Sequence, residues 1–338
     1  MRITVYFFFI VGLALFTLLI GYYGFTDVSA ALAVSGWGLI WVAMFHLAPL
    51  IVNTIAWQCL LPYKNRPPFS VIVWIRWIGE SINSLLPAAQ VGGHLAKARL
   101  LIHHGVQGPI SGASVVVELT ISVVTQIIFT LMGVVLLLRI NVPEVVNGIL
   151  IGLGIMALLV TGFCLAQRFG MFGRLIRVLT RFGGDRDWQF LVGGAAALDN
   201  AILQIYGNRR SLLSAGFWRI CGWIVGTGEI WIALYFLGSP VSFTDALLLE
   251  SLGQAVRAAA FLIPGGLGVQ EGGYLALGSL LGLSPDISLA LSLTKRVREL
   301  LLGLPGLIAW QVVEVHGFWH RGSKLLREFI CKTVGLKK

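Results

Sequence analysis

The chain has 338 residues, of which 57% are hydrophobic and only 12% charged, and it carries a net charge of +10. A soluble domain carries about 25% charged residues, so this composition, with a mean hydropathy of +0.86, excludes an ordinary soluble protein. Apolar stretches of about 20 residues recur without the alternation of a barrel, which predicts an all-α, polytopic helical membrane protein. The positive charge does not point to nucleic acid: basic residues collect on the cytoplasmic side of membrane proteins, and no basic soluble domain is present to hold one.

The run from Ile3 to Phe25 is too long for the core of a signal peptide and ends in Tyr22 and Tyr23, which suit a membrane interface. It predicts a first span over 3–25. A second span covers 36–60, after which the loop from Pro62 to Pro68 breaks the chain. Residues 70–104 form an interrupted segment, with a helix to about Leu86, a break at Pro87 and a second half from about Gln90. Further spans cover 112–138 and 145–166. Residues 167–210 differ: Arg168, Arg174, Arg177, Arg181, Arg186 and Arg209 alternate with apolar residues, which predicts amphipathic helices on the membrane surface. A fifth span covers 212–237, a second interrupted segment 244–282, and a last helix 285–312. A basic tail occupies 313–338. Placing Lys64, Arg66, the 167–210 segment and the tail on one side puts both termini in the cytoplasm. Cys59, Cys164, Cys221 and Cys331 form no CxxC pair, so neither a disulfide framework nor a metal site is expected, and no cofactor.

One motif occurs twice. The first copy is Pro87-Ala-Ala-Gln-Val-Gly92-Gly93-His94-Leu95-Ala96; the second is Pro264-Gly265-Gly266-Leu-Gly268-Val-Gln-Glu271-Gly272-Gly273-Tyr274-Leu275-Ala276. Glu80-Ser81 precedes the first and Glu250-Ser251 the second. Broken helices at matching places in two halves point to a transporter site at the repeat interface. Three spans separate the two segments, an odd number, so the repeats are expected to be inverted. Chance similarity between apolar stretches is the alternative to a repeat, and a plain packing kink is the alternative at the Pro264 break.

A charge inside a bilayer costs about 2.5–3.5 kcal/mol, yet this chain accepts many. Arg76, Glu80 and Asn83 share one face of the first interrupted segment. Glu250, Gln254 and Arg257 share a face of the second, and Glu271 follows in its glycine-rich break. The last helix carries Lys295, Arg296, Arg298 and Glu299. Internal pairing of Arg76 with Glu80, and of Glu299 with Lys295 or Arg296, accounts for part of this charge. Arg257, Arg298 and one of Lys295 or Arg296 are left over, and facing a cavity they suit an anionic headgroup. Backbone groups freed around Pro264–Gly268 and Gly272–Gly273, and the positive end of a half-helix after Pro264, would face the same site. Glu118 lies on a polar stripe with Ser114, Ser122 and Thr125 that lines the path, relays a proton or bonds between helices. Glu229 is placed similarly. His316 and His320 suit a solvated face. No nucleophile–base pair or metal-ligand motif stands out, so an enzyme is not expected.

The stretch Gly79-Glu80-Ser81-Ile-Asn83-Ser-Leu-Leu-Pro87, the run Pro264-Gly-Gly-Leu-Gly268-Val-Gln-Glu271-Gly272, and Lys295-Arg296-Val-Arg298-Glu299-Leu together resemble the lysylphosphatidylglycerol synthase transmembrane-region family. The resemblance covers nearly the whole chain and is greatest to the hopanoid-associated branch. It implies a flippase-like module of a bacterial inner membrane, with an anionic phospholipid or hopanoid-type lipid as cargo. Large members add a cytosolic aminoacyl-transfer domain. After residue 312 about 26 residues remain here, far below the 50–250 of such a domain, so the flippase-like part alone is expected. His94 stands where many relatives carry an acidic residue. On this reading Arg257, Lys295, Arg296 and Arg298 hold the headgroup, and Glu80, Glu250 and Glu271 order those cations or exchange protons. The competing class is a non-catalytic accessory subunit that presents lipid to a biosynthetic enzyme docked on the 167–210 segment.

Overall fold

Among the described residues, the apolar stretches become helix. The computed structural model describes residues 36–63, 66–86, 91–140, 143–174, 189–260, 263 and 266–334, and no strand occurs among them. Helices α1 (Gly38–Phe45) and α2 (Leu47–Gln58) are divided at His46. Pro49 explains the division, because its ring would meet the carbonyl of Phe45 in a continuous helix. Together they form one of three described segments long and apolar enough to cross a bilayer; the others are Gly108–Ile140 and Val146–Arg168. These are the spans expected at 36–60, 112–138 and 145–166. The span expected at 3–25 lies outside the described residues.

Helix α3 (Phe69–Leu85) starts behind Pro68 and stops at Leu86, whose extended backbone (φ −96°, ψ 139°) is what a following proline imposes. Helix α4 (Gly92–His103) comes next, then α5 (Gly108–Leu137). The chain continues through α6 (Pro143–Arg168), α7 (Gln189–Gly207) and α8 (Arg209–Phe236). Helix α8 covers most of the span expected at 212–237 but is not among the three segments long and apolar enough to cross a bilayer. Helices α9 (Phe243–Ala259) and α10 (Val269–Leu280) form the second interrupted segment, and α11 (Pro285–Val334) is the last element.

Two expectations need correction. Gly92 and Gly93 lie in the first turn of α4, and Gly272 and Gly273 lie inside α10, so neither pair breaks the backbone. The described irregular positions are Gly266 and Gly268, with positive φ of 61° and 76°; Pro87, Pro264 and Gly265 lie outside the described residues. The last helix does not end near 312 but continues to Val334, with Pro305 inside it. The 167–210 segment contains α7, which packs against α5 and α6 and buries Ala195, Asp199, Ala201 and Ile202. The Asp199 carboxylate accepts from the backbone N–H of Phe172 (3.2 Å) and Gly173 (2.8 Å), which ties α7 to the turn after α6.

The helices share two apolar cores. The first centres on Trp57, Ile72, Ile75, Leu100, Val117 and Ile202, and the second on Leu137, Ile230, Leu234, Leu248, Leu277 and Leu291. Helices α5 and α8 contribute to both, through Ala113 and Ala215 in the first and Val134 and Ala233 in the second. Packing across the molecule is reciprocal: α3 lies along α11, and α9 lies along α5. Ser81 of α3 sits on Gly306 of α11, and Ser251 of α9 sits on Gly133 of α5. A Cβ on either glycine would collide with the facing serine hydroxyl. Trp77 Nε1 donates to the Leu302 carbonyl (2.9 Å) across the first contact, and Gln126 Nε2 to the Gln254 carbonyl (2.9 Å) across the second.

Candidate functional site

Charged side chains from seven helices meet between these cores in two networks. The first is centred on Arg76 of α3, which is 3% exposed. Its Nε donates to Glu80 (2.8 Å), and its Nη1 to Glu118 of α5 (2.7 Å) and to the Asn53 carbonyl of α2 (3.0 Å). Lys97 of α4 donates to the other oxygen of Glu118 and lies 4.9 Å above the Trp57 ring. Arg219 of α8 donates to the Ser122 hydroxyl (2.6 Å) and stacks 4.9 Å over Trp223. Arg219, Glu118 and Asn53 line one small pocket with Ala56, Leu60, Ile121 and Ala215. Thus three cations, Arg76, Lys97 and Arg219, face two carboxylates, Glu80 and Glu118.

The second network joins α8, α9, α10 and α11. Lys295 donates to Glu250 (2.6 Å) and to the Tyr274 hydroxyl (3.1 Å). The other oxygen of Glu250 accepts from Gln254 (2.7 Å). Arg257 donates to Glu299, and Arg298 to Glu229 (2.9 Å). Arg296 donates to Glu271 (3.1 Å) and lies 3.6 Å from Glu299. His46, at the α1–α2 division, bonds Glu229 (2.7 Å). Among the described residues, four cations therefore face four carboxylates, with His46 beside Glu229.

These contacts place every charged residue expected from the sequence. Arg76 and Glu80 do pair along their helix, and Glu299 does meet Arg296. The expected surplus is overturned: Arg257, Lys295, Arg296 and Arg298 each have a carboxylate partner, Glu299, Glu250, Glu271 and Glu229 respectively. All four partners come from another helix, so helical spacing does not reveal them. Glu118 is an acceptor for two cations and not merely part of a polar stripe. Asn83 accepts from the Gly93 backbone N–H (2.8 Å) and so joins α3 to α4. Glu271 is fully buried and accepts from the Gly268 N–H (2.7 Å) and the Ser292 hydroxyl (3.1 Å). The positive end of α10 is therefore capped by its own glutamate, where the sequence suggested a ligand.

Lys97, Arg219 and His46 were missed. The rule that flagged the other intramembrane charges applies to them equally. Lys97 also stands one turn after Gly93, on the same face of α4.

Comparison with known proteins places this geometry in a family context. Residues 9–306 match the family described as the lysylphosphatidylglycerol synthase TM region. The chain is also similar to a UPF0104 membrane protein of Pyrococcus horikoshii, at 23% identity over 280 residues, covering 78% of this chain and 83% of that protein. No solved structure matches the chain.

Proposed function

From the premise that the chain belongs to the lysylphosphatidylglycerol synthase transmembrane-region family, we propose that it moves a lipid between the leaflets of a membrane, as a flippase does. The observation that carries this reading is the match between two helix pairs whose charged side chains converge on the interior. Helices α3 and α9 are 17 residues each, and α4 and α10 are 12 each. Each pair is followed, after residues 104–107 or 281–284, by a long helix. The reciprocal contacts of Ser81 on Gly306 and Ser251 on Gly133 suit an inverted repeat. A 12-residue helix is about 18 Å long, well short of the roughly 30 Å hydrocarbon core. We therefore take α4 and α10 as the returning halves of re-entrant hairpins.

In this mechanism the ion pairs are exchanged, not permanently fixed. A headgroup entering between the halves competes for a cation and releases its carboxylate to another partner, while the acyl tails stay in lipid. Glu299 already lies near Arg257, Arg296 and Arg298, so its partner can change with small movements. An inverted repeat around such a site gives access from either side in turn. The proposed cargo is an anionic phospholipid or a hopanoid-type lipid. The proposed setting is a bacterial inner membrane with both termini cytoplasmic, as the placement of lysine and arginine suggests.

The test is headgroup translocation in proteoliposomes containing the purified chain, with labelled anionic, zwitterionic and hopanoid-type lipids. Movement of at least one lipid above the protein-free rate is expected. A folded protein that moves none would overturn the reading and favour the accessory-subunit role.

A further inference from the structure

We propose that the first network is a binding site for the phosphate of a lipid headgroup. Its hydrogen bonding is incomplete where the charge is in surplus. Among the described residues, the buried donors Arg219 Nε, Arg219 Nη1 and Trp57 Nε1 meet no acceptor, and Asn53 Oδ1 and His94 Nδ1 are buried without a partner. Trp57 is wholly buried and lies beneath Lys97, so its N–H belongs to the same locus. A buried unsatisfied donor costs about 1–3 kcal/mol, and a cluster of them calls for a ligand or ordered water.

The missing partner has a definite chemistry. Both oxygens of Glu118 are taken by Arg76 and Lys97, and among the described residues Arg219 forms no ion pair. A group that completes the donors must carry negative charge and several acceptor oxygens, while Asn53 Oδ1 needs a hydroxyl or a water to donate to it. A phosphodiester offers two non-bridging oxygens to the fork of a guanidinium. A neutral polyol would leave the surplus cation uncompensated. The Glu80 side chain is 36% exposed, against 4% for Arg76 and Lys97 and 8% for Glu118, and marks an open edge of the network. The pocket beside Arg219 and Asn53 has room for about one water, so a headgroup phosphate fits only if its α2, α5 and α8 walls separate. The lipid as the source of this phosphate rests on the translocation reading above; free phosphate has the same oxygens.

The test is binding by native mass spectrometry of the purified full chain in detergent, with three probes: short-chain phosphatidylglycerol, a phosphate-free glycolipid and inorganic phosphate. Wild-type protein is expected to prefer phosphatidylglycerol over the glycolipid. Arg219→Gln is expected to weaken phosphatidylglycerol binding by about 10–100-fold, the effect of losing a charged hydrogen bond, and to leave glycolipid binding unchanged. Trp57→Phe keeps the ring in the core and removes only the N–H; a loss of about 2–10-fold is expected, and it carries the test should Arg219→Gln not fold. Equal binding of glycolipid and phosphatidylglycerol by the wild type, or wild-type affinity in both variants, would overturn the site. Phosphate bound without any lipid would keep the oxyanion site and overturn its lipid source. Tight phosphatidylglycerol binding without flux would support the site and sink the translocation reading alone.

Discussion

Lys295 and Glu250 show most plainly what burial does to a charged pair. Both are almost fully covered, and their 2.6 Å contact replaces the water each has lost. Removing one partner strands the other. Glu250→Ala or Lys295→Ala is therefore expected to destabilise the fold by about 3–5 kcal/mol, measured by thermal unfolding in detergent. Arg257→Ala differs in degree. It leaves Glu299 close to Arg296 at 3.6 Å and Arg298 at 4.0 Å, so a smaller loss is expected, in the lower part of the same range. Equal destabilisation by Arg257→Ala and Glu250→Ala would show that the shared cations around Glu299 do not compensate.

At the scale of elements, the α3–α11 and α9–α5 contacts each include one serine on a glycine, Ser81 on Gly306 and Ser251 on Gly133. Gly133→Ala and Gly306→Ala would each force the facing helix outward, at a cost of about 1–3 kcal/mol. Ser251→Gly and Ser81→Gly should relieve their respective partners. Similar penalties and similar rescue at both contacts are expected of equivalent halves; a cost at one contact and none at the other would contradict equivalence. The two interrupted segments were legible in the sequence because proline and glycine act locally: Leu86 is extended because Pro87 follows it. The true ends of the breaks were less legible. Gly272 and Gly273 look like breakers, yet they are tolerated inside α10, where Val256 of α9 packs directly on Gly273. Ion-pair partners were legible only within one helix, as for Arg76 and Glu80. The links from Arg298 to Glu229 and from Lys97 to Glu118 depend on how helices pack, and no local spacing encodes them.

Across the whole molecule, charge is divided unevenly. Among the described residues, the second network pairs each of its four cations with a carboxylate. The first holds one more cation than it can pair and contains several unsatisfied donors. A protein that needed these residues only to hold its helices together would do as well with apolar packing, since a buried ion pair is often replaceable by hydrophobic residues at little cost or with a gain in stability. Stability and the proposed lipid movement can therefore be separated in one variant. The decisive measurement is the rate of phospholipid movement between leaflets in proteoliposomes carrying Glu250→Met together with Lys295→Met, beside the wild type. The expected result is a protein at least nearly as stable as the wild type that no longer moves lipid above the protein-free rate. Wild-type flux in that double variant would contradict the account, and would reduce this pair to a structural contact.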